Sequence, residues 1–535
     1  MPSETYEAVE NFLKDVDEQI SCKLGLESVN EELRGHIEDK AFLYMEYGLE
    51  EKEAYKRSVR DMGAADVIGM ELNKHHRLRL AKPLLMLILL LMAVGITGGI
   101  LEQQEPISEF GPFFAVEANF YYLWALAVMF VLMFRGYPLL LKHTKLVCGL
   151  FLAILLSVAV LYLGILLPDG WDGILPLGGI WPGIFLGKAW SLVSSSAYFG
   201  VMQLAVPVGA VLFYRRRHQG YRAFLLFFCY QAVAVLCANL RFWNDRYYIS
   251  VLILLLGCFG VSLYVAGRGW IGLPKKKGAA TALLSFCALL VLWAVPNWNQ
   301  LRNSWEIFVN PGERASVTNA WDDSYNNVLI RDLLSRARAF GEIELADEEL
   351  MSYRTSQWYY EDGEGSWNYA QDSSMDFLDF EQHVETRSHN LTHEPTLRDI
   401  LPQYYMENYR ISWWALAYGW VPALLLTLLC LALPALAWRT ALSIRNPLGR
   451  LTALAGAFVL AIQTVFYIVG CLGCQFGGFS NLPFVSEGVA SLTGSAVLAG
   501  LILSAYRYDT VTAEPLLATS SDSGRQEDKH REIQE

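Results

Sequence analysis

Ten apolar runs constrain this chain more than any other feature. They lie at roughly 82–101, 117–135, 145–167, 194–214, 222–240, 247–267, 279–296, 410–438, 450–473 and 485–507, each near the ~20 residues a helix needs to cross a bilayer. Composition points the same way. Of 535 residues, 53% are hydrophobic and 18% charged, too apolar for a soluble protein of this length. The expected fold is therefore all-α: a polytopic membrane protein of about ten transmembrane helices, residues 82–508.

The loops set an expected orientation, because basic residues favour the cytoplasmic side. Arg135, Lys142 and Lys145 share one loop, Arg215, Arg216, Arg217 and Arg222 another. Lys275, Lys276 and Lys277 fall in a third, and Arg439, Arg445 and Arg450 in a fourth. All four alternate onto the side of the basic stretch KHHRLRLAK, 74–82, while Glu102, Glu105, Glu109, Asp169 and Asp172 fall opposite. Arg241 and Arg246 are the exception, in a tight outer turn. The expected location is the cell (plasma) membrane, multi-pass, with both termini and the polar tail 509–535 cytoplasmic. One large extracellular loop, 297–409, separates the seventh and eighth spans; it is acidic and aromatic, as in QWYYEDGEGSWNYAQD. So long a loop is functional or disordered.

Residues 1–80 read as a separate cytoplasmic helical domain. Ser28 and Glu31 have capping-box spacing. Leu33, Ile37, Ala41 and Met45 then recur every fourth residue, and Gly48 follows as a stop. Because this region is polar and acidic, no cleavable signal peptide is expected. Most of the nine cysteines lie inside apolar runs and read as small packing residues. Cys471 and Cys474 form a CxxC at a span boundary, readable as a disulfide or as two packing residues. No metal site is expected.

The tenth run opens with NLPFVSEGVASL, 481–492. Proline in the first turn, a serine that can cap and a carboxylate, Glu487, all suit a helix N-terminus. That mouth also opens on the side of the large loop, so a site there is the second reading.

The motif and the layout together resemble the SEDS (FtsW/RodA/SpoVE) family, over roughly 82–508. That family's last span begins LPF-x-S-x-G-G-S-S; Leu482, Pro483, Phe484, Ser486, Gly488 and Ser491 match, whereas Glu487, Val489 and Ala490 depart from it. Gln463 matches a glutamine of the preceding span. Tyr325 and Asn326 resemble a Tyr-Gln segment early in the large loop. The resemblance implies a peptidoglycan glycosyltransferase. Such an enzyme polymerises lipid-linked disaccharide at the outer membrane face, usually with a class B penicillin-binding protein. Its proposed base is an aspartate at the start of the eighth span. The local match is LPQYYMENYRISWWALAYGW, 401–420: counted from Leu401 and Pro402 the base position is Glu407, and counted from Gly419, read as a glycine within the helix, it is Asn408. Asn408 cannot accept a proton. Glu407 can, but a carboxylate misplaced by about 1 Å can cost ~100-fold.

The resemblance thus implies catalytic positions Glu407 and Asn408. The implied substrate-binding positions are Gln463, Pro483, Phe484, Ser486, Glu487, Gly488, Ser491 and Arg410. Arg410, Arg398 and Arg241 are candidates to offset Glu487 beside a pyrophosphate. No cofactor is implied beyond a divalent cation accompanying the lipid pyrophosphate, and no nucleic acid partner is expected. The N-terminal pattern EELRGHIED…YGLEEKEAYKRSVRDMG resembles the permease prefix (HAAS-like) domain, which implies a cytoplasmic partner of unknown identity. Three readings stay open: an active glycosyltransferase, a catalytically silent scaffold or regulator of wall synthesis, and a permease or transporter subunit. The last is weakened by the absence of a P-loop and by few ionisable residues deep in the runs.

Overall fold

The computed structural model describes residues 4–20, 26–75, 78–102, 111–165, 195–239, 248–314, 323–346, 350, 359–361, 367–369, 397–402, 408–476, 480–486 and 489–509. Within them the regular structure is helical apart from one antiparallel strand pair, β1 (Tyr359–Glu361) against β2 (Trp367–Tyr369).

Four helices open the chain: α1 (Glu4–Gln19), α2 (Leu26–Glu46), α3 (Glu51–Met62) and α4 (Ala65–His75). Val9, Phe12, Leu13 and Val16 of α1 pack against Leu33, Ile37 and Ala41 of α2 and Ala54 and Tyr55 of α3. Helix α2 starts earlier than the capping box implies, so Ser28 lies inside it rather than at its cap. The reason is the apolar stripe, which extends back through Val29 to Leu26, itself packed on this core. The helix ends at Gly48 as expected, with Gly48 N–H on the Met45 carbonyl (2.9 Å) and Leu49 N–H on that of Tyr44 (3.1 Å).

The apolar runs become α5 (Lys82–Glu102), α6 (Gly111–Lys142), α7 (Thr144–Ile165), α8 (Ser195–Arg215), α9 (Tyr221–Asn239), α10 (Tyr248–Arg268) and α11 (Lys275–Ala294). After the segment holding α12 (Trp298–Val309) and α13 (Asp323–Arg336) come α14 (Arg410–Ala417), α15 (Trp420–Leu442), α16 (Pro447–Cys471) and α17 (Val489–Arg507). Among the described residues five helices are long and apolar enough to cross a membrane: the 120–142 part of α6, the 249–268 part of α10, and α11, α15 and α16. The run at 410–438 is not one helix. It breaks at Tyr418 and Gly419, and Gly419 is not helical but at φ 99° and ψ 168°. The cause is a docked backbone: Trp420 and Val421 N–H groups donate to the Arg338 and Ala339 carbonyls at 2.8 and 3.0 Å. A Cβ on Gly419 would stand 2.6 Å from both the Ala339 oxygen and the Phe340 Cα. Only glycine tolerates both the conformation and the approach.

Helices α16 and α17 form the centre, packed against each other and against α8; α15 and α10 also flank α16, and α6 flanks α17. One end of this bundle is tied by Asp509. Its carboxylate accepts from Arg79 Nη1 (3.0 Å) and from the Arg445 and Asn446 N–H groups (2.6 and 2.8 Å). Asn446 in turn caps α16 through the Leu448 and Gly449 N–H groups. At the same end Arg215 donates to the Leu141 carbonyl. Arg215 thus meets the end of α6 directly, whereas the Arg445 stretch and Arg79 are joined through Asp509.

Candidate functional site

The opposite end is built around the NLPFVSEGVASL turn. Leu482 to Ser486 are all buried. Leu482 N–H donates to Ser486 Oγ at 2.9 Å, and that hydroxyl donates back to the Leu482 carbonyl at 3.0 Å. Ser486 therefore closes a turn in front of α17. The helix begins at Val489, not at 485 as the apolar run suggested, because this turn takes up the preceding residues. Phe484 sits at φ 64°, the sole non-glycine with positive φ among the described residues. That conformation is held by burial on all sides and is the kind of strain that clusters at functional sites.

The turn is fixed from two directions through one atom. The Val485 carbonyl accepts from Tyr122 Oη (3.0 Å) on α6 and from Arg410 Nη1 (2.6 Å) on α14. Arg410 is 1% exposed, the largest fully buried side chain among the described residues. Its N–H donates to Tyr467 Oη of α16 at 3.1 Å. Nearby, Ser412 Oγ donates to the Cys471 carbonyl, and Cys471 Sγ donates to that of Asn408 at 3.5 Å. Cys471 and Cys474 are both free thiols. Arg331 Nε holds the Gly473 carbonyl at 2.7 Å, and Tyr409 Oη donates to Gln475 Oε1 at 2.9 Å. Asn327 pairs with the Gln475 backbone through both side-chain atoms. The start of α14, the end of α16, helix α13 and the turn are thereby one connected structure.

Beneath the turn lies a polar patch in an otherwise apolar core. The Gln463 side chain is fully buried, and neither its Nε2 nor its Oε1 has a hydrogen-bond partner among the described residues. The same holds for the Ser491 and Ser495 hydroxyls. Helix geometry brings the three together. Gly456 of α16 packs on Leu498 and Ile502 of α17, and the two helices are antiparallel. Seven residues onward, about two turns, Gln463 falls level with Ser491 and Ser495. A buried amide left without partners costs about 1–3 kcal/mol, so this trio is a place where an incoming polar group gains hydrogen bonds.

The sequence-derived positions divide as follows. Gln463, Pro483, Phe484, Ser486, Ser491 and Arg410 converge at this end. Asn408 stands beside them, half-buried, two residues before Arg410. Arg410 clamps the Val485 carbonyl through Nη1. Arg398 lies over the Trp413 ring, 5.5 Å from its centroid, half-buried. Glu407, Glu487, Gly488 and Arg241 lie outside the described residues. Among the described residues no three His, Cys, Asp or Glu side chains gather as metal ligands. Sequence reading missed Tyr122, Tyr467 and Ser495. Ser495 had a usable signal, four residues after Ser491 on one helix face; the two tyrosines are ordinary members of apolar runs and had none.

No protein-family model matches the chain, and no curated protein is similar to it. A solved structure described as "Structural coordination of polymerization and crosslinking by a peptidoglycan synthase complex" is similar at a TM-score of 0.47 and 18% identity, covering 80% of this chain and 97% of that one.

Proposed function

We propose that the chain is a SEDS-like cell-wall protein of the cell membrane that engages a lipid-linked disaccharide at the end of the bundle where Arg410 meets the Val485 carbonyl. It crosses ten times, with both termini cytoplasmic and 297–409 outside, and works with a class B penicillin-binding protein. The observation that carries this reading is the junction itself. The two segments that carry the family resemblance, 401–420 and 481–492, are far apart in sequence, yet they join through a buried guanidinium at 2.6 Å. The partnerless Gln463, Ser491 and Ser495 beneath it suit a hydroxyl-rich sugar.

Polymerisation needs a base to take the proton of the acceptor hydroxyl as it attacks the anomeric carbon and the lipid pyrophosphate departs. General base catalysis contributes about 100- to 10,000-fold. Glu407 is the carboxylate at the motif position counted from Leu401 and Pro402. The register counted from Gly419 assumed a helical glycine, and Gly419 is not helical, which favours Glu407 over Asn408. The test is polymerisation of lipid-linked disaccharide by the purified chain with its partner. Glu407→Gln, which keeps shape and removes the base, is expected to abolish product; unchanged activity would remove Glu407 from the mechanism. A silent wild type that gains activity on Asn408→Asp would support the scaffold reading instead, with an intact fold and a lost base.

A further inference from the structure

At the rim of the bundle, between the end of α10 and the start of α11, an open cavity of about 480 Å³ is lined by Leu263, Tyr264, Gly267, Arg268 and Lys275. Its volume is in the range of ligand sites, about 300–1,000 Å³. Both helices are long and apolar enough to be membrane spans, so the cavity sits where a span ends and the next begins.

The walls are set by backbone. Helix α10 stops with Gly269 N–H on the Ala266 carbonyl (3.0 Å) and Trp270 N–H on that of Val265 (3.3 Å), a Schellman end that needs Gly269 at φ 72°. Trp270 then stands edge-on to both Tyr214 and Tyr264, at 5.3 and 5.8 Å between ring centroids. One turn into α11, Gly278 lets the two helices touch, for a Cβ there would lie 3.0 Å from Ala266 Cβ. The two helices meet at that point, beside the cavity.

Its chemistry is one-signed. Arg268 and Lys275 line it, Lys276 and Lys277 follow, and the α11 N-terminus has no side-chain cap. The positive end of the helix dipole therefore adds to the two cations. The Tyr264 hydroxyl is buried without a hydrogen-bond partner among the described residues. No Asp or Glu occurs between Asp245 and Glu306, and none on α8, α9 or α16, the helices that pack on this pair. A neutralising anion has to come from outside these elements. Leu263, 37% exposed, continues the cavity toward the apolar flank of α10.

We infer that this cavity binds the phosphate headgroup of an anionic phospholipid, its acyl chains lying along α10 below Leu263. Basic pockets between spans take such headgroups, at about 1 kcal/mol per basic residue, a roughly fivefold gain each. The proposal is independent of the reaction proposed above and requires only that α10 and α11 span the membrane.

The test uses the full chain, purified and delipidated in detergent. It is titrated with phosphatidylglycerol, with phosphatidylcholine of the same acyl chains, and with inorganic phosphate, and bound lipid is counted by native mass spectrometry. Wild type should hold phosphatidylglycerol about thirtyfold more tightly than phosphatidylcholine, from two basic residues. Arg268→Gln with Lys275→Gln should bring that ratio close to one. Tyr264→Phe, which cannot unfold a charge pair, should weaken phosphatidylglycerol by a few-fold, and Lys142→Gln at another basic loop should leave it unchanged. Thermal unfolding in phosphatidylcholine reports whether each variant is folded. A wild-type ratio near one, or a ratio that survives the double substitution in folded protein, would overturn the proposal. Binding of inorganic phosphate with no preference between the lipids would assign the cavity to a free anion and overturn it equally.

Discussion

Helices α15 and α16 are neighbours in sequence and in space and are almost equally apolar, with hydropathy 2.2 and 2.0, yet 33% of one and 61% of the other is buried in the protein. The difference lies in residue size and polarity. Helix α15 reads WVPALLLTLLCLALPALAWRTAL, and its Leu424, Leu425 and Leu428 point outward, 52–63% exposed. Helix α16 reads PLGRLTALAGAFVLAIQTVFYIVGC, and its buried positions include Gly449, Thr452, Ala453, Ala455, Gly456, Ala457, Thr464 and Gly470 beside larger residues. Gly456 lets Ile502 approach so closely that a Cβ would stand 3.2 Å from it. Thr452 and Thr464 return their hydroxyls to the Leu448 and Leu460 carbonyls at 2.9 and 2.8 Å. In a bilayer the lipid tails are as apolar as leucine, so hydropathy selects what enters the membrane, and small and polar residues select what is buried within the protein.

Helix α15 has one point of its own where a small residue is obligatory, Gly419, just ahead of its first turn. Gly419→Val combines a forbidden backbone conformation with contacts to backbone atoms that cannot move aside. About 1–3 kcal/mol for the strain and a similar cost for the overlap make this the largest expected effect. It should appear as the greatest drop in thermal unfolding temperature of the purified chain. A neutral result would mean that the 338–343 segment is not docked there.

Within α16 the comparison is sharpened by Leu460, 1% exposed. Leu460→Ala should cost about 2 kcal/mol, the low end for a buried leucine, since the part of that range owed to water is missing when the surroundings are lipid. A loss below about 0.5 kcal/mol, the range of ordinary surface changes, would break the claim that α16 is core.

The same distinction explains what could be read from sequence. Apolar runs were legible because length and hydropathy are local; each expected run holds helix among the described residues, although 410–438 is divided between α14 and α15 and the run from 485 becomes helical only at Val489. The position of α16 and α17 at the centre was not legible in hydropathy, although Gly449, Gly456 and Thr452 already carried it. The turn at 481–486 was legible as a motif. Its clamp was not, because Arg410 meets Val485 only through tertiary structure, and a lone arginine at a span boundary reads as an interfacial residue. The break at Gly419 was hidden for the same reason: the backbone that forces it arrives from the segment after α13.

The smallest expected effect is the sharpest test. Leu428 on α15 is as apolar as Leu460 and 63% exposed. If that face meets lipid, Leu428→Ala exchanges leucine–lipid contacts for lipid–lipid contacts of equal kind, and stability should change by less than about 0.5 kcal/mol. The identical substitution at Leu460 removes atoms that only protein can replace. Comparing the two in one detergent cancels micelle effects and leaves burial as the difference. A loss at Leu428 equal to that at Leu460 in the purified chain would mean that α15 is covered by protein after all, by a second copy or by another segment of the same chain. Sedimentation of the two variants would then separate the cases, because losing a contact between copies lowers the assembled mass, whereas losing internal packing leaves it unchanged.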